Sequence, residues 1–329
     1  MAADPIRAIA DAVLYEGYIL WPYRRSALKN QRRFTFGGVY PPAHAAVHPD
    51  DPDRTQAQVL VHGGGEARVR VTARFLHVVR RAVARRCGAR LEEVDELIVG
   101  SDVHLAWEEA VEREISAGGT LEQLRSKLRV PISLAGASEV EEIGDAGAFI
   151  RSWDALTGEL ALRAEELETG VWRLTAAVTN MTASRPGSRD AALHQTMCST
   201  HLLLSAMGGE FLSLTDPPPE LADAAAACEN VGTWPVLVGE RSRRETMLAS
   251  PIILEEYPRV APESPGDLFD GGEIDQLLIL NILALTDEER AEMAASDPRA
   301  REILERCEAL TPEQLMALHG TVREFGIAR

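Results

Sequence analysis

The central part of the chain alternates between apolar and polar residues with a period of two, which is typical of half-buried β-strands. Residues 67–79 show the pattern best, with apolar side chains on one face of the predicted strand and arginines on the other: Val69, Val71, Ala73 and Phe75 against Arg68, Arg70 and Arg74. Similar alternation predicts strands near 104–115, 159–164, 171–180, 233–238 and 246–254. We therefore expect an antiparallel, β-rich central region.

Two groups of glycines interrupt this pattern, Gly63–Gly65 and Gly208–Gly209. Because glycine adopts the positive φ angles of tight turns, we expect a β-hairpin at each group. The segment His62–Gly65 also has the HGGG sequence of the oxyanion loop found in some lipases. That interpretation requires a GxSxG nucleophile elbow, which the chain lacks, so the hairpin is favoured.

The pattern becomes helical in the last third of the chain. Residues 273–285 are apolar on almost every side, which predicts a buried helix. Capping signals predict three further helix starts: Thr286 with Glu289, Asp297 with Pro298, and Thr311 with Gln314. Near the other terminus, residues 4–14 have the spacing of a short amphipathic helix, whereas residues 37–55 are rich in Pro, His and Asp and predict a long loop.

Together these patterns predict an α+β fold, in which an antiparallel β-rich sandwich or twisted sheet is followed by a C-terminal helical region. We divide the chain into three parts. Residues 1–58 form an N-terminal helix with an aromatic and basic loop segment, residues 59–256 form the β-rich domain, and residues 257–329 form a connector and the C-terminal helices.

Composition excludes several classes of protein. The 329 residues carry a formal net charge of −17, which would repel a phosphate backbone, so no nucleic-acid partner is expected. The chain contains no run of about 18 consecutive apolar residues, so membrane insertion is not expected. The four cysteines are far apart, and this spacing argues against a disulfide scaffold and a zinc ribbon. We therefore expect a cytoplasmic protein. The large excess of arginine over lysine is typical of a genome of high GC content.

The candidate catalytic and metal-binding groups are few. His44 and His48 have i, i+4 spacing, but neighbouring prolines disfavour the helix that would bring them together. His194, Cys198 and His201 would not share one face of a strand. His77 falls on the apolar face of its strand, which favours a histidine at the edge of the core. P-loop, Rossmann and kinase signatures are absent. No catalytic residue and no cofactor is predicted, and metal binding stays open.

Two surfaces are candidates for binding a partner protein. The first is an aromatic and basic segment in a chain that is only 5% aromatic: Tyr15, Tyr18, Trp21, Tyr23, Arg24, Arg25, Lys29, Arg32 and Arg33. The alternative is that its aromatic residues belong to the core and its basic residues pair with acids elsewhere. The second is an acidic turn formed by Asp267, Asp270, Glu273 and Asp275. Those carboxylates either stabilise the positive end of the following helix or bind a cation or a partner.

Several segments together resemble a known family. They are AVLYEGY (12–18), PYR (22–24), KNQ (29–31), NVGTWPVLVG (230–239), SPGDLFDGGEID (264–275) and ALTPEQLMALHGTVR (309–323). In these segments the chain is similar to uncharacterised actinobacterial-type proteins encoded beside nickel–iron uptake hydrogenases. The resemblance spans about residues 11–323. It implies a cytoplasmic role in hydrogenase expression, maturation or assembly, and it carries over no catalytic residue.

Three hypotheses follow for the function. The favoured one is a non-catalytic accessory protein that binds a hydrogenase subunit or a maturation protein through the two candidate surfaces. The second is an enzyme with a site, metal-dependent or not, built from His44, His48, Asp267 and Asp270. The third is a structural protein that forms homo-oligomers through the aromatic segment.

Overall fold

The fold is α+β, as predicted, and is dominated by one antiparallel sheet of eleven strands. The computed structural model describes residues 5–20, 22–24, 26–27, 30, 33–34, 36–100, 102–185, 187–259, 268, 275–311 and 313–314, without the side chains of 275 and 276. The strands are β1 (Arg54–Cys87), β2 (Arg90–Val94), β3 (Glu96–Val99), β4 (Asp102–Leu105), β5 (Trp107–Thr120), β6 (Leu128–Leu134), β7 (Ala137–Ile143), β8 (Gly147–Trp153), β9 (Leu156–Glu168), β10 (Val171–Asn180), β11 (Cys198–Leu212), β12 (Trp234–Leu237) and β13 (Thr246–Ser250).

The helices lie mainly at the two ends of the described chain. They are α1 (Pro5–Tyr15), α2 (Pro42–Ala45), α3 (Arg189–Leu193), α4 (Ala222–Ala226), α5 (Asp275–Leu283), α6 (Asp287–Ser296) and α7 (Pro298–Glu308). A single 3-10 turn at Gln123–Arg125 lies between β5 and β6. Among the described residues, no helix has the length and apolar character that a membrane span requires.

The long strand β1 organises the sheet by exchanging partners along its length. The main path of the sheet runs β12-β13-β11-β1-β10-β9-β6. On one edge of β1, β11 is followed by β8, and on the other edge β10 is followed by β5 and then by β2. β7 pairs with β8 outside this path. A strand that serves five partners must bend, since its neighbours run in different parts of the molecule.

The two predicted glycine hairpins are wrong, because β1 and β11 run straight through them. Gly63 of β1 pairs with Gly209 of β11, and the next pair is Arg68 with Met207. Four residues of β1 therefore bulge opposite the single residue Gly208, whose φ is 75°. A Cβ on Gly63 would lie 3.1 Å from the Cα of Gly209. The glycines permit a close, shared bend at the point where β1 leaves β10 and joins β5.

The main core lies inside the bent sheet. Every second residue of β1 faces it, as the sequence pattern predicts: Ala57, Val59, Val61, Ala67, Val69, Val71, Ala73 and Phe75. The inward faces of β9, β10 and β11 complete it, with Trp172 as its largest fully buried side chain. Arg68 and Arg70 lie on the outer face and are exposed, whereas Arg74 on the same face is completely buried.

A second core covers the outer face of β1 beyond Arg74. Leu76 and Val78 pack there against the segment that follows α1 and against the C-terminal helices. The Tyr18 hydroxyl donates to Asp297 at 2.7 Å, and the Tyr23 hydroxyl donates to the carbonyl oxygen of Leu268 at 2.6 Å. We call the described residues between 14 and 34 the N-terminal segment. This segment and the C-terminal helices α5, α6 and α7 share one core, although they lie at opposite ends of the sequence.

The predicted helix caps are confirmed. Both hydrogen bonds of the capping box between Thr286 and Glu289 are present, and Asp297 caps α7 with Pro298 at the first helical position. Thr311 and Gln314 exchange the corresponding pair of bonds.

The helix α5 is less buried than the sequence predicts. Leu278, Ile279 and Ile282 are buried, but Leu277 and Leu280 are about half exposed. The apolar residues of α5 therefore cover one face of the second core rather than being enclosed by it.

Gly147 is a position where the fold requires the absence of a side chain. It begins β8, and a Cβ there would lie 2.1 Å from the carbonyl oxygen of Ala84 and 2.7 Å from Cδ2 of Leu97. We expect Gly147→Ala to push β8 away from β1 and to lower the free energy of unfolding by more than about 2 kcal/mol. Gly64→Ala is the matched control, since no atom lies within 4 Å of its Cβ. Urea denaturation of both variants tests this, and equal stabilities would contradict it.

Candidate functional site

A groove of about 780 Å³ lies where the N-terminal segment meets β1, β2, β5 and α3. Its walls come from five stretches of the sequence, at residues 30–34, 80–82, 93–95, 106–108 and 190–194. Charged and aromatic side chains dominate the lining: Arg33, Arg80, Arg81, Glu93, Asp95, Trp107, Glu108, Asp190 and His194. A large concave surface with several polar groups is the usual form of a binding site, so we take this groove as the candidate functional site.

Arg33 forms the inner wall of the groove. Its guanidinium carbon lies 3.9 Å from the centre of the Trp107 ring, which is a close cation–π contact. The same guanidinium donates hydrogen bonds to the carbonyl oxygens of Tyr18, at 2.9 Å, and of Glu108. Burial lowers the pKa of Arg33, and the nearby Tyr18, Glu108 and Asp297 side chains oppose that effect. Arg33 therefore fastens the N-terminal segment to the first residues of β5.

Arg81 fastens the C-terminal helices to the same wall. It donates to the Glu109 carboxylate at 2.8 Å and to the carbonyl oxygens of Leu105 at 3.0 Å and Ser296 at 2.8 Å. Glu109 also accepts from Arg151 at 2.6 Å. Arg81 is almost completely buried, so its charge is compensated inside the protein rather than offered to a ligand.

His194 and Glu108 form a hydrogen-bonded pair on the opposite wall. The His194 Nε2 atom lies 3.2 Å from Oε1 of Glu108. The hydrogen bond raises the pKa of His194 and lowers the pKa of Glu108, since each group stabilises the charged form of the other. The pair links α3 to β5 across the groove.

The accessible charge of the groove is negative, although its lining contains three arginines. The side chains of Glu93 and Glu108 are 53% and 40% exposed, whereas those of Arg33 and Arg81 are each 4% exposed. The remaining arginine, Arg80, is half exposed and pairs with Glu93, so these two charges compensate each other. The excess negative charge at the mouth comes from the exposed carboxylates of Asp95, Glu108 and Asp190. Chemically, the mouth of this groove suits a cationic group.

The described members of the aromatic and basic segment are mainly buried or paired. Tyr15, Tyr18 and Tyr23 are buried in the second core, and the Tyr15 hydroxyl donates to Glu112 at 2.7 Å. Arg24 pairs with Glu289 of α6 at 3.0 Å. The other members, Trp21, Arg25, Lys29 and Arg32, lie outside the described residues. The described tyrosines and Arg24 therefore follow the core and ion-pair alternative, while Arg33 bonds backbone carbonyls and reaches the groove.

The acidic turn falls largely outside the described residues. Asp267, Asp270 and Glu273 are not described, and Asp275 is described only as the first residue of α5. A role of this turn in partner binding, or in the enzyme hypothesis with His44 and His48, stays a prediction.

His44 lies in the one-turn helix α2 despite the neighbouring prolines, whereas His48 lies beyond the end of α2. The expectation that the prolines disfavour a helix is therefore wrong for His44 only. Pro42 occupies the first position of α2, where proline's missing N–H costs nothing. The two imidazole rings stack with their centres 4.3 Å apart, and His44 Nε2 lies 2.8 Å from the Asp51 carboxylate. Within the described part of the chain, no three His, Cys, Asp or Glu side chains are grouped to hold a metal ion.

The second set of candidate metal ligands, His194, Cys198 and His201, does not form a metal-binding group among the described residues. His194 follows α3 rather than lying on a strand and is paired with Glu108. His201 is completely buried in β11, where its Nδ1 atom lies 3.1 Å from the carbonyl oxygen of Ser199. Burial lowers the pKa of His201 to about 3 and raises the pKa of the Cys198 thiol to about 12. Both groups are therefore uncharged at neutral pH.

Sequence reasoning missed most of the groove. Arg81, Glu108 and Asp190 belong to no motif, and Trp107 has only the signal of an inward-facing strand residue. One local signal was present: Trp107, Glu108 and Glu109 place an aromatic ring beside two acids at the start of a strand.

No protein-family model matches the chain, and none of the curated protein sequences compared with it matches either. The resemblance to proteins encoded beside nickel–iron hydrogenases therefore stays a prediction that rests on the quoted segments.

Proposed function

We propose that this chain is a non-catalytic accessory protein that binds another protein through the groove between the N-terminal segment, β5 and α3. The sequence resemblance suggests the partner: a subunit or maturation protein of a nickel–iron hydrogenase. The observation that carries the proposal is the arrangement of charge in the groove. Two of its arginines, Arg33 and Arg81, are buried in the walls, whereas carboxylates are exposed at the mouth, and among them Asp190 has no ion pair within the described residues.

The same arrangement indicates which side chains of the partner enter the groove. Arg33 and Arg81 already use their N–H groups on carbonyls and on Glu109, so an anionic guest would find few donors. Glu108 and Asp190 remain accessible to a basic guest, whereas Glu93 is already paired with Arg80. The net charge of −17 adds long-range attraction for a basic surface. We therefore expect a lysine- or arginine-bearing segment of the partner to bind here.

Charge reversal at the mouth of the groove tests this proposal. Asp190 is exposed in the first turn of α3 and makes no ion pair within the described residues. We expect Asp190→Lys to reduce recovery of the partner by about tenfold at low ionic strength, because it opposes a basic guest. The measurement is affinity purification of the tagged chain from its native host, with quantification of co-purifying proteins by mass spectrometry.

Glu220→Lys is the matched control, because Glu220 is also exposed in the first turn of a short helical segment, far along β1 from the groove. Recovery should be unchanged in this control. If both variants lose the partner equally, the effect is one of net charge, and if neither does, the groove is not the interface.

A further inference from the structure

A second groove lies on the outer face of the sheet, at the other end of β1. The strand register places three rows of side chains across β5, β1 and β11. In the first row Arg68 lies between Thr120 and Met207, and in the second Arg70 lies between Gly118 and Ser205. In the third row Thr72 lies between Ser116 and Leu203. The groove that these rows enclose has a volume of about 520 Å³. Its lining is basic and hydroxyl-bearing, in a protein whose overall charge is strongly negative.

The contrast with Arg74, on the same face of the same strand, shows how unusual these two arginines are. Arg74 is completely buried, and three carboxylates lie within 3.4 Å of its guanidinium: Asp11, Glu112 and Glu114. Arg68 and Arg70 are exposed and make no ion pair with a carboxylate among the described residues. Arg70 reaches only the Ser116 hydroxyl, at 3.2 Å. The two guanidinium groups therefore retain most of their donors.

The residues of β5 and β11 that lie opposite Arg68 and Arg70 include no acid. At Gly118, opposite Arg70, the neighbouring backbone leaves no room for an acidic side chain. Glu114 pairs with Arg74 across β5 and β1, but the equivalent residue opposite Arg70 is Gly118. A Cβ on Gly118 would lie 2.5 Å from the carbonyl oxygen of Val69, so no side chain fits there. On the other side of Arg70 stands Ser205, whose hydroxyl is a second hydrogen-bond donor for the groove.

We propose that this second groove binds the phosphate group of a small ligand. Arginine matches phosphate well, because its planar fork donates two parallel N–H bonds to two oxygen atoms. Arg68 and Arg70, two residues apart on one face of β1, supply the forks. Ser116 and Ser205 supply hydroxyl donors on either side. This proposal is independent of the partner groove, by which we mean the first groove, the proposed binding site for a partner protein. The partner groove lies farther along β1, near Arg80 and Arg81.

Isothermal titration of the full chain with inorganic phosphate tests this site. We expect saturable binding at one site with a Kd at or below about 1 mM, and an increase in Kd of tenfold or more in Arg70→Gln and in Arg68→Gln. Sodium chloride of matched ionic strength serves as the blank. Arg163→Gln is the matched control, since Arg163 is also an exposed arginine on a strand and has no ion pair among the described residues.

Both arginines are exposed, so we expect the variants to keep the urea midpoint of the natural chain, which separates loss of the site from loss of the fold. Absence of saturable binding, or equal affinity in all three variants, would overturn the proposal. Binding of a poly-glutamate peptide without binding of phosphate would also overturn it, and would indicate an acidic protein partner instead.

Discussion

Asp297→Ala is expected to destabilise the protein by about 3–5 kcal/mol, the loss typical of a buried charged group whose partners are left unsatisfied. Asp297 is 1% exposed. One carboxylate oxygen accepts from the Tyr18 hydroxyl at 2.7 Å and from Trp107 Nε1 at 3.1 Å, and the other accepts from the backbone N–H of Arg299 at 2.8 Å. This single side chain therefore joins the N-terminal segment, the start of β5 and the cap of α7.

Loss of the carboxylate would leave buried donors without an acceptor. Burial and the neighbouring Asp297 carboxylate raise the pKa of Tyr18 well above its usual value, so Tyr18 remains a hydroxyl that needs an acceptor. The free energy of unfolding of Asp297→Asn should lie between those of the natural chain and of Asp297→Ala, because asparagine still caps a helix but offers one acceptor oxygen fewer.

Urea denaturation monitored by tryptophan fluorescence measures the loss. Asp287→Ala, an acid in the first turn of α6, is the control and should cost about 0.5 kcal/mol or less. A cost for Asp297→Ala as small as that of the control would contradict the account of Asp297 as the junction of three elements.

The second large effect is a steep loss of stability in mild acid. His77 and His201 are completely buried, and burial lowers their pKa values to about 4 and about 3. Between pH 6.5 and 4 the unfolded chain binds a proton at each histidine and the folded chain does not. Stability therefore falls as the pH falls through this window, by about 3 kcal/mol for each histidine by pH 4.

Other titrating groups change this slope only in part. His194, whose pKa Glu108 raises, acts in the opposite sense, because the folded chain holds its proton more tightly than the unfolded chain does. Glu108, whose pKa is lowered, adds to the loss only below its unfolded pKa of about 4.3. The two buried histidines should therefore dominate between pH 6.5 and 5.

Urea denaturation at several pH values between 7.5 and 4.5 tests this expectation. The stability of the natural chain should fall with a slope approaching two protons, and His201→Gln should lower that slope by about one proton. Stability that is independent of pH above 5 would show that the histidines are accessible to protons in the folded protein.

The elements that the sequence predicts well are those set by neighbouring residues. The alternation at Val69–Phe75 assigns the faces of β1, and the capping pairs at Thr286, Asp297 and Thr311 set helix boundaries within a few residues. These signals depend on contacts between residues close in sequence, so they survive without knowledge of the tertiary fold.

The glycines at 63–65 and 208–209 show where local signals fail. A turn and a paired bend both require glycine, and only the pairing of Gly63 with Gly209 distinguishes them. That pairing joins residues far apart in the sequence and is invisible to periodicity. For the same reason the sequence did not predict the partner groove. Its lining residues are far apart in the sequence and come together only through the pairing of β1 with several strands: Arg33, Arg81, Trp107 and His194.

Charge was the least predictable property of the site. The basic character of residues 24–33 suggested an exposed cationic surface, but Arg33 is buried against Trp107 and Arg24 is paired with Glu289. Burial of an arginine depends on acceptors supplied by other elements, here the carbonyls of Tyr18 and Glu108. The resulting groove exposes carboxylates at its mouth, so it does not offer the cationic surface that the basic segment suggested.

The most direct test of the central claim is purification of the tagged natural chain from its native host, grown so that hydrogenase is expressed, with mass spectrometry of what co-purifies. The account predicts a hydrogenase subunit or maturation protein at near-stoichiometric level, released by raised salt because the contact is electrostatic. A chain that is recovered without a partner at low salt would contradict the accessory function.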